Sequence, residues 1–321
     1  MNSVSIWSRA GWLAAAAVSV FAASLWYGSA QLTAAQLLAA LRGVGDPIAS
    51  TVLFDLRLPR ALTAFGVGAA LALAGVLLQA LFRNPLADPF VIGVSGGAAV
   101  GGLLAMAAGA GWLAVQSSAA LGAFAAVLIV AALSARAEPS KLLLTGVIVA
   151  STCGAVVTLV LASSVDDQLR GMLFWLAGDL SFARSPVAGL TASAVAVVGA
   201  WLFAKPLNVM SSGELRARSA GLDLAAWRWA VFAFAALLSA TAVVSAGTIG
   251  FVGLVAPHIT RLMFRTADHR IVAPASALLG GTLLAAADLV ARLAIEPRQL
   301  PVGGIMALIG APIFLLLMRR R

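Results

Sequence analysis

Long apolar runs separated by short polar turns fill almost the whole chain. The runs lie at about residues 10–29, 60–82, 90–110, 112–134, 142–163, 186–204, 226–246, 249–263, 271–294 and 300–318. A helix that crosses the hydrocarbon core of a bilayer needs roughly 20 apolar residues. The pattern therefore predicts about ten transmembrane helices joined by short connections.

One stretch is too long for a single helix. No charged side chain occurs between Trp229 and His258. Helix-breaking residues cluster late in this stretch, at Gly247, Gly250, Gly253 and Pro257. Because glycine and proline mark the interruption of helices, the sequence predicts a full helix, a turn and then a shorter helix.

The composition agrees with a chain whose solvent is the bilayer. Hydrophobic residues make up 62% of the 321 residues, charged residues make up 10%, and the mean hydropathy is +1.02. A soluble domain usually carries about 25% charged residues. No long polar stretch is present that could form a second domain. We therefore predict an all-α polytopic membrane protein, with residues 1–321 forming a single transmembrane domain.

The distribution of basic residues predicts the orientation. A net charge of +9 would suggest nucleic acid as the partner of a soluble protein, but membrane proteins collect Lys and Arg in cytoplasmic loops. Ten spans place both termini on one side, and 14 of the 21 Lys and Arg residues fall on that side. Both termini are therefore expected in the cytoplasm, and nucleic acid is not expected as a partner.

The first apolar run raises the question of processing. Arg9, the apolar stretch and the small residues of "YGSAQ" resemble a signal peptide, but the apolar stretch exceeds the 7–15 residues typical of one. We expect a retained span. The one cysteine, Cys153, excludes an internal disulfide and is expected to be a small packing residue.

Two polar connections carry helix signals of their own. Thr33 and Gln36 fit a capping box on the outer side, with Gly43 at the end. Ser211 and Glu214 fit a second capping box in the longest cytoplasmic loop, with Gly221 at the end. The second helix is short and basic, so it is either a solvated connector or a docking surface for a soluble partner.

The segment "RNPLADPFVIGVSGGAAVG" places a charged turn between two apolar runs. Gly93, Gly97 and Gly101 recur at every fourth position after the turn. Small residues at this spacing let helix backbones approach closely in lipid. The glycines therefore predict tight packing of the helix that follows the turn.

Asp288 is the one acid well inside a predicted span, and Arg292 follows four residues later. Residues at this spacing share a helix face, so the two can pair. Charged groups inside a membrane are usually functional. Because Arg292 is near the outer end of its helix, a structural ion pair at the interface is an equally valid interpretation.

The remaining polar groups do not form a credible catalytic or metal site. Ser95 in "GVSGG" and His258 could mimic an intramembrane serine protease, but nothing supplies an oxyanion site. Two histidines and one cysteine give no metal-site spacing. Neither Lys141 nor Lys205 follows a glycine-rich phosphate loop. We expect no catalytic residues, no metal and no cofactor, and we expect ATP hydrolysis, if used, to belong to a partner.

Several long motifs resemble those of one family. "LFDLRLPRALTAFGVGAALALAGVLLQALFRNPLADPFVIGVSGGAAVG", "GTIGFVGLVAPHITR" and "LPVGGIMALIGAPIFLLLMRR" occur in the family's order. The chain from about residue 51 onward is similar to the FecCD-type (type II) permeases of binding-protein-dependent ABC importers. Their cargoes are iron–siderophores, haem and vitamin B12.

The resemblance implies partners and functional residues. It implies a ten-helix subunit that forms a homodimer in the bacterial inner membrane, in contact with lipid, two ATP-binding cassette subunits and a periplasmic binding protein. It implies that the binding protein docks on Arg57, Arg60 and Arg292. It implies a cytoplasmic gate formed by Asn84, Leu86 and the loop around Ser140. It also implies coupling helices at about 206–224, whose contacts with the ATPase are Ser212, Gly213, Glu214, Arg216, Ala217 and Gly221.

The resemblance leaves the cargo open. "SSVDDQLRGMLFWLAGDLS" is similar to the matching segment of both vitamin B12 and siderophore permeases. We favour an iron chelate, siderophore or haem, over cobalamin. Outside this family, an ion-coupled secondary transporter is the main alternative, although it is expected to carry more titratable groups in its spans than Asp288.

Overall fold

The computed structural model describes residues 3–28, 30, 32–134, 139–181, 183, 186–295 and 298–319, and this part of the chain is almost entirely helical. Its α-helices are α1 (Ser3–Trp26), α2 (Ala34–Leu41), α3 (Pro47–Thr51), α4 (Leu58–Phe82), α5 (Val94–Ala107), α6 (Trp112–Leu133), α7 (Pro139–Ser163), α8 (Asp166–Leu176), α9 (Pro186–Ser211), α10 (Glu214–Ser219), α11 (Leu224–Ala246), α12 (Val252–Phe264), α13 (His269–Leu293) and α14 (Val302–Arg319). A π-helical turn (Val52–Arg57) joins α3 to α4, and a 3₁₀ turn (Pro89–Ile92) precedes α5.

The ten predicted apolar segments are confirmed as helices. Seven are long and apolar enough to cross a membrane, and three, in α5, α12 and α14, are shorter apolar helices of 10–17 residues. The sequence boundaries agree with most helix ends to within a few residues.

The helix that contains α4 begins earlier than the sequence predicted. Its apolar run starts at Arg60, but the helical segment is continuous from Pro47 to Phe82, a length of 36 residues. The Asp46 side chain caps its start by accepting a hydrogen bond from the Ile48 N–H at 2.9 Å. Arg57 and Arg60 lie inside this helix because other parts of the chain provide hydrogen-bond partners for both side chains.

α4 is the centre of the fold. The apolar part of this segment is 89% buried, and α4 packs against α9, α11, α12 and α13. Glycines allow close backbone contact at three of these interfaces. A Cβ atom would lie 2.2 Å from the Gly189 oxygen if added at Gly66, 2.3 Å from the Gly280 oxygen at Gly68, and 2.0 Å from the Gly253 oxygen at Gly75. No side chain fits between helices that approach this closely.

The glycines after the charged turn pack as predicted. A Cβ at Gly97 would lie 2.3 Å from the Gly122 oxygen of α6, and a Cβ at Gly101 would lie 2.0 Å from the Ser118 oxygen. Gly93 differs, because it caps α5 with a positive φ of 81° and approaches Val149 of α7. The packing prediction is therefore confirmed for α5 against α6.

The predicted break between α11 and α12 is confirmed at Gly247 and Phe251, which have φ values of 70° and 69°. The chain satisfies the polar groups around this break with its own backbone. The Thr248 hydroxyl donates to the Leu176 carbonyl, the Asp179 N–H donates to the Ala246 carbonyl at 2.9 Å, and the Gly178 carbonyl accepts from the Val302 N–H at 2.9 Å. Irregular backbone at membrane depth requires such partners because lipid offers none.

Candidate docking pocket, gate turn and coupling helix

The three arginines of the predicted docking set lie around one pocket. Arg57, Arg60 and Arg292 line a cavity of about 240 Å³ together with Asp55 and Gln299. The pocket lies where the start of α4, the end of α13 and the connection after α8 meet, which is the outer side in the predicted orientation. Residues 57 and 292 are far apart in the sequence, so the helix packing brings these arginines together.

A buried ion cluster forms one wall of this pocket. Asp288 is 1% exposed and accepts hydrogen bonds from Arg60 Nε at 3.0 Å and Arg60 Nη2 at 2.8 Å. Arg292 Nε lies 3.1 Å from the other carboxylate oxygen of Asp288. The predicted pairing of Asp288 with Arg292 is confirmed, and the structure adds Arg60 as a second cation on the same carboxylate.

The arginines also bind backbone carbonyls at the end of α1. Arg57 donates to the Leu25 carbonyl at 2.8 Å and to the Trp26 carbonyl at 2.7 Å. The two terminal nitrogens of Arg292 lie 3.3 and 3.4 Å from the Ser24 carbonyl. The last carbonyls of a helix lack helical partners and carry partial negative charge, so guanidinium groups stabilise them.

Gln299 and Asp55 complete the pocket, and neither was predicted from the sequence to belong to the docking site. Gln299 Oε1 accepts hydrogen bonds from Arg60 Nη1 at 2.6 Å and from the Ser181 hydroxyl at 3.1 Å. Asp55 is exposed at the mouth. Asp55 could have been noticed as an acid two residues before Arg57, whereas no local signal marks Gln299. The three arginines carry more charge than the two nearby acids, Asp55 and Asp288, so the pocket has a net positive charge. This charge suits an acidic side chain that enters from outside.

The charged turn after α4 has a defined geometry. α4 ends at Arg83, which is left-handed with a φ of 49°, and the Asn84 N–H donates back to the Gln79 carbonyl at 3.2 Å. The Asn84 side chain then accepts from the Leu86 N–H at 2.9 Å. Leu86 is 47% exposed. This double turn fixes the backbone while the Leu86 side chain projects outward.

The second half of the turn is anchored by Asp88. Its side chain accepts from the Phe90 N–H at 2.8 Å and caps the 3₁₀ turn. Burial raises the pKa of Asp88 to about 6, although the hydrogen bond from Phe90 acts in the opposite direction.

The 3₁₀ turn follows the predicted gate residues along the chain and lies beside α7. It packs against this helix, and a Cβ at Gly146 would lie 2.5 Å from the Val91 oxygen. Ser140 lies in the first turn of α7 and is exposed, as Leu86 is. No contact between Ser140 and Asn84 or Leu86 occurs among the hydrogen bonds of the described chain, so their common role as a gate stays a prediction.

The predicted basic helix in the cytoplasmic loop is present as α10, but its start differs from the prediction. The capping box of Ser211 and Glu214 is wrong, because Ser211 belongs to the end of α9 and Gly213 precedes α10 without a side-chain cap. Gly213 has a φ of 112°, which turns the chain sharply between the two helices. The predicted end is confirmed, since α10 stops at Ser219 and Gly221 has a φ of 75°.

α10 presents an exposed surface held by a few internal contacts. Ala217 is buried under the helix, and Leu215 is 80% exposed. Arg218 and Arg228 lie 2.8 and 3.4 Å from the Glu214 carboxylate. The hydrogen bond from Arg218, followed by the charge of Arg228, holds the pKa of Glu214 below its ordinary value. Ser212 and Arg216 are also exposed, which leaves them free to contact a partner.

The end of α9, directly before α10, is bonded to two other parts of the cytoplasmic side. Asn208 donates to the Asp268 carboxylate at 2.6 Å and accepts from the His269 N–H at 2.8 Å. Arg83 Nη2 lies 3.4 Å from the Met210 carbonyl. No local pattern marks Asn208, because its partners are about 60 residues away.

The residues of the protease interpretation do not form a catalytic pair. The Ser95 hydroxyl is buried and makes no hydrogen bond within the described residues, and the His258 ring lies 6.1 Å from the ring of Phe314. No group of three His, Cys, Asp or Glu side chains suited to a metal ion occurs in the part of the chain that the structure describes.

Comparison with known proteins places the chain in a family. The model of the FecCD transport family matches residues 16–320. The uncharacterised ABC transporter permease YvrB of Bacillus subtilis is 41% identical over 290 residues, which cover 87% of this chain and 82% of YvrB. The vitamin B12 import system permease BtuC of Escherichia coli O127:H6 is 39% identical over 279 residues, which cover 85% of each chain.

A solved structure agrees with these relatives. An inward-facing transporter assigned to the metal-chelate type of ABC transporters has a TM-score of 0.87 and 33% identity, covering 96% of this chain and 98% of its own. The fold is that of a type II ABC importer permease, as the sequence predicted. This chain is a multi-pass membrane protein of the FecCD transport family, the permease component of ABC importers that act with separate ATPase and binding-protein partners.

Proposed function

We propose that this chain forms the translocation subunit of a bacterial inner-membrane importer for a metal chelate. Two copies would surround the path, two ATPase subunits would bind the cytoplasmic side and a periplasmic binding protein would dock outside. The observation that carries the proposal is the placement of an arginine-lined pocket at one end of the helix bundle and an exposed basic helix in the opposite loop, in a chain that matches the FecCD family over residues 16–320.

The relatives bear on the cargo. The vitamin B12 permease BtuC is similar over 85% of both chains, which favours cobalamin over the iron chelate preferred from the sequence alone. The metal-chelate type of the similar solved structure keeps an iron chelate, siderophore or haem, as the second candidate. Both cargoes are bulky metal chelates, and both suit the same assembly.

The buried ion cluster argues against a proton-coupled secondary transporter. Asp288 neutralises Arg60 and Arg292 at distances of 2.8 and 3.1 Å. A carboxylate that must balance two buried cations is not available to carry a proton through the transport cycle. Within the spans, Asp288 was the acid on which that alternative depended.

Transport in proteoliposomes tests the proposal. The chain, reconstituted with its ATPase and binding protein, should accumulate radiolabelled cobalamin only when ATP is present on the ATPase side. Radiolabelled ferric siderophore and haem should be tested in parallel. ATP-dependent uptake of an iron chelate, with no cobalamin uptake, would assign the second cargo, and uptake driven by a proton gradient without ATP would contradict the importer mechanism.

A coupling-helix variant provides the matched control for that experiment. Leu215→Glu places a charge on the most exposed apolar position of α10, where it should prevent the ATPase from co-purifying while leaving the permease folded. Retention of both the ATPase and transport in this variant would remove α10 from the proposed interface.

Docking at the outer pocket should respond to the charge of Asp55. Charge reversal at Arg57 or Arg60 would disturb buried contacts, so a pocket variant that leaves them intact is preferable. Asp55→Asn removes an exposed acid from the mouth and should raise the association rate of the binding protein by about two- to fivefold at low salt, with the gain lost at high salt.

Stopped-flow or surface-based kinetics would measure this rate. Asp167→Asn, which removes an exposed outer acid that does not line the pocket, is the control and should change the rate little. An equal increase in both variants would show that the pocket does not guide docking.

A further inference from the structure

An apolar groove lies between the cytoplasmic half of α1 and the beginning of α13. It has a volume of about 520 Å³, and its walls include Trp7, Leu13, Phe264 and Leu278. Trp7 is 77% exposed in the chain. The one charged residue in the lining is Arg270, at the end of the groove where α13 begins.

Two further arginines lie at the same end of the groove. Arg9 is on α1 and donates to the Met263 carbonyl at 2.9 Å. Arg265 is exposed and ends α12 directly after Phe264. The guanidinium groups of Arg265 and Arg270 make no hydrogen bond or ion pair within the described residues. They are therefore available to an external anion.

Few acids are present to neutralise these arginines. Asp268 is the one acid between residues 224 and 287, and the sequence contains none before Asp46. The Asp268 carboxylate accepts from Asn208 Nδ2 at 2.6 Å and from the backbone N–H of Arg270 at 2.9 Å. Its charge also acts on Arg270, but three arginines against one acid leave the mouth of the groove with an excess of positive charge.

The groove has the depth and polarity of a lipid site. From Arg270 to Leu278 the helix rises about 12 Å at 1.5 Å per residue, so the apolar walls run from the arginines into the hydrocarbon region. In the predicted orientation the arginines lie at the cytoplasmic surface. Anionic phospholipids are concentrated by basic residues there, and basic pockets between transmembrane helices bind their head groups.

We propose that this groove binds an anionic phospholipid of the cytoplasmic leaflet. Arg265 and Arg270, assisted by Arg9, bind the phosphate of the head group, and an acyl chain lies along Trp7, Leu13 and Leu278. An apolar segment of a soluble protein would not supply the anion for which the arginines are placed. The occupant is therefore a lipid.

Trp7 gives a direct test in the complete complex reconstituted in nanodiscs. Fluorescence quenching is measured with phosphatidylglycerol or phosphatidylcholine brominated on the acyl chains, and the Trp7→Phe variant is subtracted because the chain contains eight tryptophans. The Trp7 signal should half-saturate at a mole fraction of the brominated phosphatidylglycerol about thirtyfold lower than that of phosphatidylcholine, given two arginines near the surface.

Charge variants identify the site. Arg265→Gln with Arg270→Gln should bring the two lipids to equal quenching, whereas Arg319→Gln, an exposed cytoplasmic arginine on α14, should leave the preference intact. Equal quenching in the unmodified protein, or a preference that survives the double variant, would overturn the proposal. Quenching by neither lipid would show that a protein segment covers the groove, and would overturn it as well.

Discussion

Replacing Asp288 by Asn should reduce the free energy of unfolding by about 3–5 kcal/mol, the usual cost of removing one partner from a buried ion pair. The carboxylate is 1% exposed and lies 2.8 Å from Arg60 and 3.1 Å from Arg292. An asparagine keeps the shape but leaves two buried guanidinium groups without a counter-charge. The loss should appear as a lower denaturation midpoint of the purified permease in mild detergent.

A double-mutant cycle separates the cluster from a general loss of charge. Combining Asp288→Asn with Arg60→Gln should destabilise the protein less than the sum of the two single changes, because the second change removes one of the unpaired cations. Asp55→Asn, at an exposed acid of the same pocket, should have little effect on stability. A loss below about 1 kcal/mol for Asp288→Asn would mean that water or another group solvates the arginines.

Replacing Gly75 by Val should prevent stable assembly of the helix bundle. A Cβ at this position would lie 2.0 Å from the Gly253 carbonyl oxygen. This contact is with backbone rather than with a flexible side chain, so α4 and α12 must separate to relieve it. Overpacking a core usually costs about 1–3 kcal/mol and more where the surroundings cannot adjust. The yield of monodisperse protein in size-exclusion chromatography should fall to a small fraction of the unmodified level.

Gly11→Val is the matched control for that substitution. It also adds an isopropyl group to a glycine in a transmembrane helix, but no atom lies within 4 Å of the added Cβ. The control should be produced and eluted like the unmodified protein. Normal assembly of Gly75→Val would show that α4 and α12 can separate at little cost.

Apolar length and helix-breaking residues predicted most of the fold. The split between α11 and α12 followed from the clustered glycines, because a break in a membrane helix needs residues with few steric restrictions. The start of α4 could not be predicted in this way. Arg57 and Arg60 look like the end of a span until their partners at residues 25, 26 and 288 are known.

In the candidate sites, too, contacts within one helix could be predicted from the sequence, whereas contacts between distant segments could not. The i+4 spacing of Asp288 and Arg292 was sufficient to predict their contact, because one helix determines the geometry. Arg60 joins them from 228 residues away, and Gln299 from 239. The start of α10 was wrong for a related reason. Ser211 and Glu214 have the spacing of a capping box, but α9 continues through Ser211 and leaves Gly213 to make the turn.

α13 links the two faces of the membrane. Its outer end carries Asp288 in the arginine cluster, and its inner end is bonded to Asn208, six residues before α10. In the proposed assembly, a partner that binds at one end of this helix and changes the affinity at the other end does so with an equal effect in both directions. The state of the ATPase is therefore expected to alter the affinity for the binding protein by the same factor by which docking alters ATPase affinity.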